Sequence, residues 1–232
     1  PAFAFTAKLH RRFTHDRLLV PAEVAAFKEG LWPLQRAGKL GCLLIQFPWW
    51  FRFTAENRDF FIQLRRAFHE FPLVAEMRHE SWMMDEALGT FIDYGVGFCN
   101  IDQPAWVRAM PPTAFLTYSV GYIRLHGRNP GNALGGFDKG ASRRQQHDYL
   151  YTPEELAEWQ ARIDRIRRYA SPIFVVTNND AGAKSVVNAL ELAALLGDSR
   201  SRAPEGLLRR YPEALAGFRT DRQRQEPLFT AA

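Results

Sequence analysis

Six short apolar runs in this chain end in polar or charged residues, and the spacing of those endings is where chemistry could reside. In Val74-Ala75-Glu76-Met77-Arg78 the two charges lie two residues apart, so in a strand they share one face. The same interval joins Thr6 to Lys8, Asn100 to Asp102 and Arg124 to His126, while Gln46 closes its own run and Asn178, Asn179 and Asp180 close the last. Carboxylates beside an imidazole supply general acid and base groups, which makes Glu76, Asp102 and His126 candidate catalytic residues. Cationic and amide side chains hold anions, so Lys8, Gln46, Arg78, Arg124, Arg128, Asn178 and Asn179 are candidate substrate-binding residues, and Asp180, which closes the same run as the two asparagines, is counted with them. Glu76 and Asp102 could instead pair as in a glycosidase, and Glu76, Asp102, His126 and Asp180 could hold a divalent ion. Their scatter over four runs matches no metal motif, so no metal ligand and no cofactor is assigned. The competing reading is a buried ion network that serves structure alone, because an unpaired buried charge costs on the order of several kcal/mol.

Other residues carry weaker signals. His79 and Glu80 precede Ser81, which reads as a helix cap rather than a nucleophile. No GxSxG elbow, HExxH pair or Gly-rich phosphate loop is present. His10 and His15, in the basic stretch 10–17, read as solvent-facing. Trp49-Trp50 could stack on a sugar or base, or cover the core. Residues 127–151 form the longest loop, rich in Gly and carrying Arg128, Lys139, Arg143 and Arg144, and could act as a cationic lid or be an insertion without a role.

The elements that must position these residues follow from periodicity. Strands are predicted at Phe3–Lys8, Cys42–Phe47, Leu73–Arg78, Val96–Asp102, Gly121–His126 and Ile173–Asn178. Between them, helical patterns cover Pro21–Ala37, a stretch capped by Thr54, and Ser81–Tyr94. A helix opened by Thr152-Pro153-Glu154-Glu155 is predicted to run to about Tyr169, and a last one to span Ala183–Leu196. Strands alternating with such helices imply a parallel sheet, and without a Gly-rich phosphate turn a TIM-type (β/α)8 barrel is favoured over an open doubly wound sheet. In a barrel the inward polar set would gather at the C-terminal mouth, where barrel enzymes build their sites. Six strands do not close the barrel, so it is expected to be incomplete at the N-terminus. Residues 1–197 form the barrel domain on this reading, and 198–232 a weakly ordered tail with seven Arg against five acidic residues.

Composition bounds the function. A 47% apolar share over 232 residues suits a globular chain and excludes a disordered or fibrous one. Two cysteines exclude a disulfide scaffold and point to the cytoplasm. No apolar run is long enough to cross a bilayer, so no membrane association is expected. A net charge of +5 biases the chain mildly toward anionic partners, either a small phosphorylated or sugar-like substrate or a nucleic acid.

The order of strand endings also resembles a known family. F-A-F-T-A-K with Thr14-His15, L-L-I-Q-F-P (43–48), E-M-R-H-E-S-W (76–82), I-D-Q-P (101–104), Y-I-R-L-H-G-R (122–128) and V-T-N-N-D with Asn188-Ala189 are together similar to the YecE-like family, the domain of unknown function numbered seventy-two. The resemblance covers about residues 1–197 and implies a TIM-type barrel in bacterial cytoplasmic proteins of no agreed activity. In that family the domain opens with a G-T-S-G-W-like strand and a second strand ending near E-x-N-x-x-F-Y. Neither motif is in this sequence, which matches the tally of six strands and leaves the substrate-binding mouth short of two.

Overall fold

A computed structural model describes residues 3–129, 148–198 and 202–220. The apolar halves of the six runs form strands β1 (Phe5–Lys8), β2 (Leu40–Gln46), β3 (Leu73–Glu76), β4 (Val96–Asp102), β5 (Gly121–Leu125) and β6 (Ile173–Thr177). All neighbours are parallel and the spatial order equals the chain order, β1 to β6. An unreversed order is that of a barrel, whereas a doubly wound sheet changes direction at a switch point. The sheet curls into a half-barrel, six strands of an eight-stranded TIM-type pattern. Thr6 on β1 meets the Tyr122 hydroxyl of β5 across the interior at 3.0 Å. At Gly41 the register of β2 on β1 slips by one residue, and the Phe174 ring of β6 fills the space a side chain would take there.

Helices cover the outer face. They are α1 (Arg11–Thr14), α2 (Pro21–Arg36), α3 (Ala55–Ala67), α4 (Asp85–Asp93), α5 (Pro153–Ile166) and α6 (Lys184–Leu195). Thr54 caps α3 by accepting from the Asn57 amide. At α5, Thr152 and Glu155 satisfy each other's backbone N–H groups in a full capping box. Phe61, Trp82 and Phe91 pack under α3 and α4, and Leu156, Trp159 and Ile163 fix α5 on the sheet. The expected single helix over 81–94 is instead a 3-10 turn, Glu80–Met83, followed by α4. The His79 ring caps the turn and Met84 turns extended between the two elements. Residues 202–220 hold a short helix α7 (Glu205–Arg210) between two-residue strands β7 (Arg202–Ala203) and β8 (Arg219–Thr220). Leu215 and Ala203 pack there on Val187 of α6. Residues 130–147, including the expected lid cations Lys139, Arg143 and Arg144, lie outside the described residues, as do 221–232.

Candidate functional site

The strand ends separate into two clusters on opposite faces of the sheet. Gln46 pairs in register with Glu76, and Glu76 faces the interior with Arg124 and His126. There Glu76, fully buried, receives Arg78 Nε at 2.9 Å and His126 Nε2 at 3.2 Å on one oxygen. Its other oxygen receives Arg124 Nη1 at 2.5 Å. Arg124 also donates to Gln46 Oε1 at 3.1 Å and to Asn178 Oδ1 at 3.0 Å. Asn178 donates in turn to His126 Nδ1 at 3.1 Å, and Lys8 reaches Gln46 Oε1 at 3.5 Å. Side chains from or just beyond the ends of β1, β2, β3, β5 and β6 thus join one hydrogen-bonded network at the C-terminal mouth.

The electrostatics of this network fix protonation. Burial pushes the Glu76 carboxyl up, but Arg124, His126 and Arg78 pull harder and hold it well below the usual carboxylate range. Burial, reinforced by Arg78 and Arg124, lowers His126 to about 4 against the opposing pull of Glu76. His126 is therefore neutral near pH 7, with its proton on the nitrogen facing Glu76 and its other nitrogen accepting from Asn178. Glu76 thus receives three donors, two of them cationic, on its two oxygens. Lys8, Arg78 and Arg124 against one carboxylate leave the mouth with a net charge of +2. Arg78 is a quarter exposed, and its Nη2 lies 3.5 Å from His126 Nε2. His15 belongs here too. His15 is half-buried, and burial together with Arg11, Lys8 and Arg78 lowers its pKa against the pull of Asp16.

Asp102 departs from the expectation. Ile101 of β4 is in register with Arg124, so the next residue turns to the opposite, helix-covered face. There Arg128 Nε contacts both Asp102 oxygens, at 3.0 and 2.9 Å, and Trp159 Nε1 of α5 donates at 2.6 Å. Burial raises the Asp102 pKa, opposed by those two donors. Asn100 shares that outer face, bound to Thr113 and the Phe115 backbone. Asp102 and Asn100 are thus corrected from inward to outward. Arg128 follows Asp102, adding Glu155 at 3.1 Å and Glu158 at 3.2 Å. Asn179 is buried and ties Tyr149 O to Asn188 of α6, while Asp180 is exposed ahead of the 3-10 turn Ala181–Ala183. The four proposed metal donors are thereby divided among three places. Among the described residues no group of three or more His, Cys, Asp or Glu is placed to hold a metal ion. No described helix is long and apolar enough to cross a membrane.

Comparison with known proteins agrees with the barrel. The family model "Protein of unknown function DUF72" matches residues 1–213. The UPF0759 protein YunF of Bacillus subtilis is 26% identical over 207 residues, covering 84% of this chain and 73% of YunF. The crystal structure of a DUF72 family protein from Thermotoga maritima superposes with a TM-score of 0.77 at 26% identity, over 84% of this chain and 74% of that one. One from Enterococcus faecalis gives 0.77 at 24% identity, over 85% and 75%, and bears on the fold alone.

Proposed function

This chain belongs to the DUF72 family, and from that premise we propose that it binds a small anionic ligand, a phosphate ester, at the C-terminal mouth of its half-barrel. The observation that carries the reading is the +2 cluster built from five strand ends, with Arg78 exposing guanidinium nitrogens above a buried Glu76–Arg124–His126 base. Arg78 and Lys8 would contact the anion. Arg124, Gln46, Asn178 and His126 would keep Arg78 and Glu76 in place, so less side-chain freedom is lost on binding. Neutral His126 is the one group in the network able to change protonation near neutrality if Glu76 or Asn178 shifts on binding, which makes it the residue for any proton transfer there. Asp102 and Arg128, on the other face, would brace the β5 end against α5. Buried Cys42, its thiol pushed up to about 12, and buried Cys99 suit a reducing compartment, which supports a cytoplasmic location.

Calorimetric titration with inorganic phosphate at low ionic strength tests this. The wild-type chain should bind, more weakly as salt rises, and Arg78→Ala should lower affinity about tenfold or more, because a charge-assisted contact is worth about 1.5–3 kcal/mol. Equal binding by both proteins, or none by either, would refute it. Retention of single-stranded DNA that phosphate does not displace would favour nucleic acid instead.

A further inference from the structure

Beside the anion cluster, the loops after β2, β3 and β4 gather polar atoms that the fold leaves unused. Trp49 Nε1, His79 Nε2, Gln103 Oε1 and Trp106 Nε1 are buried atoms without a hydrogen-bond partner among the described residues. They belong to one packed lobe. The Trp49 and His79 rings lie 5.5 Å apart between centroids. His79 pairs in an antiparallel bridge with Ala109, whose amide closes a turn on Trp106 O at 3.0 Å. Gln103 Nε2 is held by Arg78 O at 3.1 Å and Met110 O at 3.2 Å, which leaves its carbonyl oxygen over. The His79 tautomer is set by Ser81, whose backbone N–H donates to Nδ1 at 3.2 Å. Nδ1 is therefore the acceptor nitrogen, and the neutral ring carries its hydrogen on Nε2. The lobe thus offers three N–H donors and one carbonyl acceptor. Folded proteins leave few such groups unpaired, and here four occur within three successive loops.

Building on the anion site just described, we propose that this lobe is a sugar-recognition subsite and that the ligand is a phosphorylated sugar. The chemistry matches in each part. Hydroxyl oxygens accept from indole and imidazole N–H groups, a hydroxyl hydrogen donates to Gln103 Oε1, and the apolar face of a pyranose or furanose packs on an indole ring. Trp49 and Trp106 are only partly buried, so each can turn its N–H toward an entering ring. Arg78 joins the two regions. Its guanidinium belongs to the anion cluster, while its backbone carbonyl accepts from Gln103 and from the Met110 amide at 2.9 Å. A phosphate at Arg78 would leave its sugar next to the lobe.

The test compares inorganic phosphate, ribose 5-phosphate and glucose 6-phosphate by titration calorimetry on the wild-type chain and on Trp49→Phe and Trp106→Phe, which keep an aromatic ring and delete the donor. At least one sugar phosphate should bind about tenfold more tightly than inorganic phosphate. Either variant should lose about fivefold or more of that advantage, a neutral hydrogen bond's share, while its affinity for inorganic phosphate stays unchanged. Sugar phosphates that bind no better than inorganic phosphate, or variants that keep the full advantage, would overturn the sugar subsite and leave the anion site standing. A wild-type chain that binds none of the three overturns both.

Discussion

Glu76 shows how one buried carboxylate can tie together side chains from several strand ends. With its three donors in place, the Glu76→Gln change leaves Arg124 and Arg78 uncompensated in a buried setting. It should destabilise the fold by about 3–5 kcal/mol in urea denaturation. His126 governs the pH response. Its pKa is about 4 in the fold against 6.5 in the free side chain, so the unfolded chain takes up its proton first as pH falls. Stability should therefore drop from pH 6.5 to 4, by up to about 3 kcal/mol from this residue. His15 and His79, also lowered, act in the same direction, and Glu76 extends the loss below its ordinary range. Asp102 is raised and works oppositely. Thermal melts across this interval check the sign, and His126→Asn should flatten the curve. The inward group of Glu76, Arg124 and His126 was legible from two-residue spacing. Asp102 was not, because alternation tells which residues share a face but not which face points inward, and only the register of β4 on β5 decides that.

At the scale of elements, Gly127 is the joint between the two clusters. It has φ +90°, its amide donates to the Tyr151 hydroxyl at 2.8 Å, and an added Cβ would lie 2.6 Å from Tyr149 Cβ. On one side of this left-handed backbone His126 joins the Glu76 network, and on the other Arg128 joins Asp102 on the opposite face. Gly127→Ala should cost about 1–3 kcal/mol and lower the melting temperature, and it should weaken phosphate binding because both flanking residues shift. Strand and helix identities were readable here: the Thr152-Pro153-Glu154-Glu155 start became a complete capping box. Strand ends were less so. β3, β5 and β6 stop at Glu76, Leu125 and Thr177, one or two residues short of the expectation. Beyond these ends single backbone bonds persist, His126 N to Asp102 O at 2.9 Å and Asn178 N to Leu125 O at 2.7 Å, without a full register pair. The division of 80–93 into a 3-10 turn and α4 was hidden as well, since it depends on His79 capping the turn with its ring.

At the scale of the whole molecule, the strand order β1 to β6 brings residues as distant as Lys8 and Asn178 to one rim. That convergence followed from alternating strands and helices, together with the rule that polar strand ends collect at a barrel's mouth. The overall charge of +5 said less, because its distribution matters more than its sum. Three cations around one carboxylate at the mouth make a local field that the average conceals. The unpartnered donors of Trp49, His79 and Trp106 were beyond sequence reasoning altogether, since only the packed loops reveal which polar atoms lack partners. Whether these distant residues together form the proposed anion-binding rim is tested most directly by a crystal soaked in tungstate. A dominant anomalous peak is expected within hydrogen-bond distance of Arg78 at the mouth, lost in Arg78→Ala crystals. A dominant peak on the helix-covered face near Arg128, or a mouth peak that persists in Arg78→Ala crystals, would contradict it.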